Sequence, residues 1–221
     1  MTFQFNTVFE YWPMYLEGLR TTIYVTLGSL IFSLILSIPL AMIKITKNKI
    51  LNFIGFLYTD IFRALPSLVQ IYLVYFAAPQ LFGITITAMT SAFITLSMNA
   101  AAYISEALRG GILSVDIGQR EAAKALGISQ VDTLKDIVLP QALKAVFPSM
   151  INETIGLLKG TSLVSIIGVV DLMRASRQVM ADSYLSFEPL MVAAVIYYIL
   201  VKSMSMIGNR LEKQIRVSEI R

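Results

Sequence analysis

The chain has 221 residues, of which 56% are hydrophobic and 14% are charged, with a net charge of +4 and a mean hydropathy of +0.71. Because a soluble domain carries about a quarter charged residues, this composition is typical of a chain whose main solvent is lipid. The sequence has no cysteine and no histidine, which excludes disulfides and thiolate chemistry and removes the commonest metal ligand and general base near neutral pH. A hydrolytic or redox enzyme is therefore disfavoured.

Five apolar stretches are long enough to cross a membrane, because about 20 helical residues span a hydrocarbon core of ~30 Å. The first has 23 uncharged residues over 21–43. The 42 uncharged residues between Arg63 and Glu106 are too many for one span, and Pro79 and Gly83 predict a break between two helices of a hairpin. The predicted spans are approximately 21–43, 54–78, 86–107, 145–168 and 189–208.

The basic residues predict the orientation, since short cytoplasmic loops carry an excess of lysine and arginine. In a five-span arrangement, the basic residues that follow the first, third and fifth spans fall on one side. They are Lys44, Lys47, Lys49, Arg109, Arg120, Lys124, Lys135, Lys144, Arg210, Lys213, Arg216 and Arg221. The sequence therefore predicts one all-α membrane domain over 1–221, with the N-terminus outside, the C-terminus in the cytoplasm, and a cytoplasmic loop over 109–144.

The stretch REAAKALGISQVDTLKDIVLP, residues 120–140, is the most polar long segment between two apolar regions. It predicts two short helices joined by a tight turn. Gly127 is placed to end the first helix in a left-handed conformation. Ser129 is placed to cap the second helix, with Asp132 as its capping-box partner, and Pro140 is expected to stop or kink that helix.

Two interpretations of this helix–turn–helix follow from its residues alone. The first is a DNA-reading unit, but residues 116–140 hold four acidic and three basic side chains, whereas a phosphate-binding surface should be clearly basic. The second is an amphipathic loop that folds only for its own packing.

A third interpretation rests on a sequence pattern: E-A-A, three residues, G, nine residues, I-x-L-P. This pattern resembles the EAA loop of permease subunits of bacterial ATP-binding-cassette (ABC) importers. The matching residues are Glu121, Ala122, Ala123, Gly127, Ile137, Leu139 and Pro140. The stretches FRALPSLVQIYLVYFAAP, NAAAYISEALRGGI and LLKGTSLVSIIGVVDLM are similar to the subgroup that imports polar amino acids. The resemblance implies a type I importer fold, in which the loop docks as a coupling helix on a separate ATPase.

The chain has no phosphate-binding loop of its own, because GLLKGTS at 156–162 lacks the order G-x-x-x-x-G-K-[ST]. The resemblance implies that ATP and Mg bind to two partner ABC ATPase subunits. It also implies an identical or similar second permease, an extracytoplasmic substrate-binding protein and a bacterial cytoplasmic membrane. No catalytic residue, metal, cofactor or nucleic acid is expected on this chain. The alternative is a secondary transporter coupled to an ion gradient, or a channel.

Glu153 is the clearest candidate for a polar site within the membrane. A charged group at this depth costs at least ~2.5–3.5 kcal/mol, so it faces an interior or a cavity. It either contacts substrate or anchors buried hydrogen bonds. Lys159 lies six residues later, about 240° around a helix, so the two charges should not share a face. Gly156 and Gly160 predict a close approach between helices.

In similar amino-acid permeases the substrate lies near mid-membrane, between the second, third and fourth spans. Carried over by motif, the implied contacts are Leu68, Gln70, Asn99, Glu153, Gly160, Thr161 and Ser162. The Glu153 carboxylate would receive an ammonium group of the substrate. The amides of Gln70 and Asn99, or a broken-helix N-terminus, would donate to the carboxylate of the substrate. Many relatives read K-D-T-S where residues 159–162 read K-G-T-S. The missing acid favours a neutral polar amino acid or cystine over a cationic one.

Overall fold

A computed structural model describes residues 3–217, and within this range all regular structure is helical, as the sequence predicts. Arg221, which contributes to the predicted orientation, lies outside these residues. Nine helices follow one another in the described range: α1 (Phe5–Phe9), α2 (Trp12–Ile45), α3 (Lys49–Ala64), α4 (Ser67–Phe82), α5 (Ala88–Ser114), α6 (Ile117–Ala125), α7 (Gln130–Ile167), α8 (Leu172–Ser183) and α9 (Phe187–Val217).

Helix α5 is the centre of the bundle and packs against α2, α3, α4 and α7. Small side chains make this possible: Ala101 and Ala102 are fully buried. Close to the end of α5, a Cβ atom on Gly111 would lie 2.9 Å from the carbonyl oxygen of Ala142 in α7. Glycine therefore allows the two backbones to approach closely, as small residues do in membrane bundles.

Helix α2 is polar on the side that faces the bundle and apolar on the side that faces outward. Its buried residues include hydroxyl side chains at helical spacing, namely Thr22, Thr26, Ser29, Ser33 and Ser37. Three of these hydroxyls donate to carbonyl oxygens of α2 itself, at 2.7–2.9 Å. The exposed side chains include Ile31, Phe32 and Ile35. This arrangement suits a helix whose outer surface contacts lipid.

By length and composition, α2 and the segment Phe187–Ile215 of α9 can each cross a membrane. Two bent helix pairs, α3 with α4 and α7 with α8, raise the number of candidate spans in the described range to as many as four. The central helix α5 has 27 residues but is not in this group. Its serine, threonine and asparagine side chains lower its hydropathy, and several of them, including Ser91, Thr95 and Ser105, are buried against other helices. The five-span arrangement and its orientation stay predictions.

The predicted span 54–78 contains a sharp bend and is not a single straight helix. Helices α3 and α4 meet at a bend of 105°. The cause is Pro66, which disfavours the helical conformation of the residue before it. Leu65 accordingly adopts an extended conformation with ψ of 136°. The chain therefore turns sharply beside α5 before α4 begins.

Two further prolines are accommodated inside helices. A π-helical turn at Leu73–Ala77 precedes Pro79, and another at Thr133–Val138 precedes Pro140. Proline lacks an N–H group and clashes with the carbonyl four residues earlier, and a wider turn just ahead of it relieves both problems. Pro140 therefore does not stop the helix, and α7 runs on to Ile167. The predicted hairpin break instead falls at Gly83, with φ of +64°.

Candidate functional site

The turn after α6 is closed by two backbone hydrogen bonds. The N–H of Ile128 donates to the carbonyl of Ala123 at 3.0 Å, and the N–H of Gly127 donates to that of Lys124 at 3.1 Å. Gly127 has φ of +74°, which costs glycine nothing but strains other residues. This pattern is the Schellman motif, so the prediction that Gly127 ends the first helix in a left-handed conformation is confirmed.

The next helix begins with a side-chain cap. The hydroxyl of Ser129 accepts the backbone N–H of Asp132 at 3.1 Å and donates to the Asp132 carboxylate at 2.6 Å. The predicted N-cap is therefore confirmed. Helix α6, this turn and the start of α7 form one compact unit over residues 117–140, which we call the knob.

The EAA-pattern residues lie mostly on the surface of the knob. Glu121, Ala122, Gly127, Leu139 and Pro140 are exposed, and Ile137 is half-buried. Ala123 is buried. Ala123 therefore supports the fold of the knob rather than its surface.

Large apolar side chains also project from the knob. Ile117 is 71% exposed, Leu126 is 79% exposed and Val131 is 73% exposed. They stand among charged side chains of both signs, including Glu121 and Lys124. Apolar surface rimmed by polar groups in this way is typical of a protein-docking site.

The knob is fixed to the helices on either side of it. The amide of Gln141 in α7 donates to the side-chain oxygen of Gln119 in α6 at 2.6 Å. The guanidinium of Arg120 donates to the carbonyl of Ile112 in α5. Helix α6 is therefore linked by side-chain hydrogen bonds to both α5 and α7.

A cavity of about 200 Å³ lies farther along the bundle, between the start of α4, α5 and α7. We call it the Glu153 cavity. Its lining residues are Ser67, Leu96, Asn99, Ala100, Tyr103, Glu153, Gly156, Leu157 and Gly160. It is smaller than the ~300–1,000 Å³ of pockets for drug-sized ligands, so its size suits a small molecule.

Three of the predicted contact residues, Asn99, Glu153 and Gly160, meet at this cavity. Sequence reasoning missed Ser67 and Tyr103. A signal for Tyr103 was available, because a residue four positions after Asn99 shares its face of a helix. No such signal exists for Ser67, which reaches the cavity only because the chain bends before α4.

The amides of Gln70 and Asn99 are engaged in holding the bend between α3 and α4. Gln70 Nε2 donates to the carbonyl oxygens of Phe62 at 2.8 Å and Leu65 at 2.9 Å. Asn99 Nδ2 donates to the same Phe62 oxygen at 3.2 Å and to Gln70 Oε1 at 3.1 Å. Since an amide nitrogen has two hydrogens, a ligand carboxylate would have to displace one of these bonds.

The family is decided by comparison with known proteins. The family described as "Binding-protein-dependent transport system inner membrane component" matches residues 33–217. The chain belongs to this family.

The permease is similar to relatives over nearly its whole length. A putative glutamine transport system permease protein, GlnP, of Rickettsia bellii is 43% identical, with 91% of this chain and 93% of the relative covered. The arginine transport system permease protein ArtQ of Bacillus subtilis is 40% identical, with 99% and 100% covered. A crystal structure of an amino acid ABC transporter with histidines has a TM-score of 0.91 at 32% identity, covering 97% of this chain and 100% of that chain.

These findings confirm the predicted family, a permease component of amino-acid ABC importers. The permease is a transport subunit and not an enzyme. The family also decides against the alternatives of an ion-coupled secondary transporter, a channel or a DNA-binding protein. Within residues 3–217, no group of three or more acidic side chains is placed to hold a metal ion.

The other predicted contact residues of the permease do not line the Glu153 cavity. Leu68 and Gln70 are not among its lining residues. The hydroxyl of Thr161 is buried and donates to the carbonyl of Leu158 at 2.7 Å. Ser162 donates to the carbonyl of Lys159 at 2.8 Å, and both border a separate cavity of about 380 Å³ next to α9.

Lys159 and Glu153 therefore face different cavities, as their helical spacing predicts. The expected close packing at Gly156 and Gly160 is wrong. A Cβ atom at Gly156 would meet nothing within 4 Å, and one at Gly160 would meet only Leu96, at 3.7 Å. The two glycines leave space in the Glu153 cavity instead of allowing helix contact.

Lys44, one of the basic residues that predict the orientation, is buried, with only 3% of its surface exposed. Its ammonium group donates to Thr59 Oγ1 at 2.9 Å, to Ser105 Oγ at 2.9 Å and to Glu106 Oε2 at 3.1 Å. The other oxygen of Glu106 accepts from Arg109 Nε at 2.8 Å. Lys44 thus links α2, α3 and α5, and buried charges are tolerated when paired in this way.

Proposed function

We propose that this chain is the membrane-spanning subunit of an ATP-driven, binding-protein-dependent importer of polar amino acids in a bacterial cytoplasmic membrane. Two such permeases, identical or similar, enclose the pathway. Two ABC ATPase subunits carry ATP and Mg and dock on the knobs. An extracytoplasmic binding protein delivers the amino acid to the opposite face. The chain crosses the membrane five times, with the knob in the cytoplasm.

One observation carries this proposal: the knob and the Glu153 cavity share a single helix. Helix α7 starts in the knob at Gln130 and continues to Ile167, with Glu153 at the cavity. At 1.5 Å per residue, Gln130 and Glu153 are separated by about 35 Å. Closure of the ATPases around ATP would move the knob, and α7 would transmit the movement to the cavity. The assembly then alternates between outward and inward access.

The lining of the Glu153 cavity supports a neutral polar amino acid as substrate. Glu153 is the acidic residue among its lining side chains, and it would receive the α-ammonium group of the substrate. The N–H groups of the first turn of α4, beside Ser67, would receive the α-carboxylate. No second acid is present in the lining to balance a cationic side chain. The relatives, named for glutamine and for arginine, span both possibilities.

The docking of the ATPases is tested by Leu126→Asp in the knob. We expect this variant to lose copurification with the ATPase subunits in detergent, because a desolvated carboxylate replaces an apolar contact. Leu81→Asp is the matched control, since Leu81 is 77% exposed against 79% for Leu126 and lies at the far end of α4. Normal ATPase binding by Leu126→Asp would contradict the docking site.

The energy source is tested by reconstituting the chain in liposomes with and without its ATPase subunits. ATP-dependent uptake is expected only in the complete assembly. Uptake by the chain alone, driven by an ion gradient, would contradict the proposed function.

A further inference from the structure

A second polar cavity lies between α3 and α5, on the side of the Glu153 cavity that faces the knob. Its volume is about 460 Å³, more than twice the 200 Å³ of the Glu153 cavity. Its lining residues are Phe56, Thr59, Asp60, Arg63, Ala64, Tyr103 and Glu106. We call it the Asp60 cavity.

The two cavities are arranged in series along one face of α5. Asn99 borders the Glu153 cavity, Glu106 borders the Asp60 cavity, and Tyr103 borders both. These positions are four and seven residues apart, so they share a face of the helix. Asn99 and Glu106 are separated by about 10 Å along the helix axis. The Tyr103 side chain is therefore a wall common to both cavities.

Arg63 lies beside Tyr103, the side chain that borders both cavities. Its guanidinium lies over the ring of Tyr103, 5.3 Å from the centroid. Among the described residues, Arg63 forms neither of the ion pairs, both of which involve Glu106. The guanidinium lines the Asp60 cavity and is therefore available to an anionic ligand there.

The charged side chains of the Asp60 cavity differ in whether they already form ion pairs. Glu106 is already paired with Lys44 and Arg109. Asp60 and Arg63 lie on the same face of α3, one turn apart, and do not form an ion pair with each other in the described range. A cation and an anion held side by side but not joined match the two charges of an α-amino acid.

We infer that the Asp60 cavity is a second binding site for a zwitterionic α-amino acid. Arg63 binds the α-carboxylate, Asp60 binds the α-ammonium group, and Tyr103 separates this site from the Glu153 cavity. A substrate that leaves the Glu153 cavity toward the knob meets this site next. The inference rests on the proposed function, because it requires an amino acid to reach the Glu153 cavity first.

Equilibrium binding to the purified, nucleotide-free assembly tests the inference, with radiolabelled L-glutamine and L-arginine as probes. We expect two amino acids per wild-type chain. Asp60→Asn should weaken one of the two sites at least tenfold, the usual scale for losing a charge-assisted hydrogen bond. Glu153→Ala should remove the other site, so the two variants affect separate components of binding.

Two further variants keep the result interpretable. Lys49→Gln removes a charge from the exposed start of α3, outside the cavity, and should leave both sites unchanged. Arg63→Gln should weaken the same site as Asp60→Asn, which shows the loss is not a folding defect of one variant. One bound amino acid per wild-type chain, or two unweakened sites in Asp60→Asn, would overturn the inference.

Uptake measurements separate this inference from the proposed function. A wild-type assembly with ATP-dependent uptake but one bound amino acid per chain overturns the second site alone. An assembly with neither uptake nor amino-acid binding overturns both. A site sensitive to Asp60→Asn that takes glycerophosphoethanolamine, but no amino acid, would also overturn the inference, since it would be a lipid headgroup site.

Discussion

The knob and the Glu153 cavity share helix α7, yet they are built from different kinds of contact. In the knob, the capping hydrogen bonds join residues no more than five positions apart, such as Ile128 with Ala123. Around the cavity, Asn99 bonds to Phe62 and Gln70, which are 37 and 29 positions away. The knob is stiff by its own local structure, whereas the cavity depends on how separate helices are arranged.

The largest effect is expected at the cavity, from Glu153→Ala. Removing the carboxylate leaves the substrate ammonium unpaired, and ATP-dependent uptake should fall about 100-fold, or ~2.7 kcal/mol. The initial rate of radiolabelled glutamine uptake by proteoliposomes measures it. Asn152→Ala is the control, because Asn152 is exposed and does not line the cavity. Unchanged kinetics in Glu153→Ala would remove Glu153 from the site.

A smaller effect is expected at the knob, from Gly127→Pro. Proline is fixed near φ of −65°, cannot adopt the observed +74°, and lacks the N–H that closes the turn. We expect uptake per ATP hydrolysed to fall by about tenfold, a cost of ~1.4 kcal/mol in coupling. Gly127→Asn is the matched control, since asparagine tolerates the left-handed conformation. Full coupling in Gly127→Pro would show that the stiffness of the turn is unimportant.

The next effect concerns the stability of the bend beside the cavity. Gln70→Ala removes the donor to the Leu65 carbonyl and the acceptor of Asn99 Nδ2, while the Phe62 carbonyl keeps its bond from Asn99; each lost hydrogen bond costs about 0.5–1.5 kcal/mol. The melting temperature of the purified assembly should therefore fall. Gln80→Ala, at an exposed position of α4, should leave it unchanged. Equal melting temperatures for both variants would mean that the bend does not depend on this amide.

The smallest effect is expected from Ser129→Ala, which removes the cap of α7. Loss of an N-cap costs about 1 kcal/mol, and the cost should stay local because the cap is local. Hydrogen exchange at the backbone N–H of Asp132 should accelerate, while Ser129→Asp should preserve protection. Faster exchange around Glu153 as well would contradict the prediction that the effect of the cap stays local to the knob.

The same distinction explains what the sequence could predict. The turn at Gly127 and the cap at Ser129 follow from short patterns, because residue type alone selects those backbone conformations. The burial of Lys44 could not be predicted in this way, because its hydrogen-bond partners Thr59, Ser105 and Glu106 lie 15, 61 and 62 positions away. In the sequence it is indistinguishable from the other lysines after the first apolar stretch.

The interrupted helices show the same limit. Pro66, Pro79 and Pro140 are equally visible in the sequence, but their effects differ. The chain bends by 105° at Pro66, whereas Pro79 and Pro140 lie inside helices, each after a π-helical turn. The outcome at each proline depends on whether neighbouring helices can satisfy the freed carbonyl groups. At Pro66 they do, through the amides of Gln70 and Asn99. Sequence reasoning alone did not foresee these tertiary contacts.

Transmission from knob to cavity is tested most directly by thiol labelling at the cavity. The chain has no cysteine, so Ser67→Cys introduces a single reactive group at the cavity wall. In the complete assembly, adding a non-hydrolysable ATP analogue should change the labelling rate by about tenfold or more, as expected when one access state replaces another. Combining the substitution with Gly127→Pro should strongly reduce that nucleotide dependence. A nucleotide response that persists undiminished in the combined variant would contradict the account.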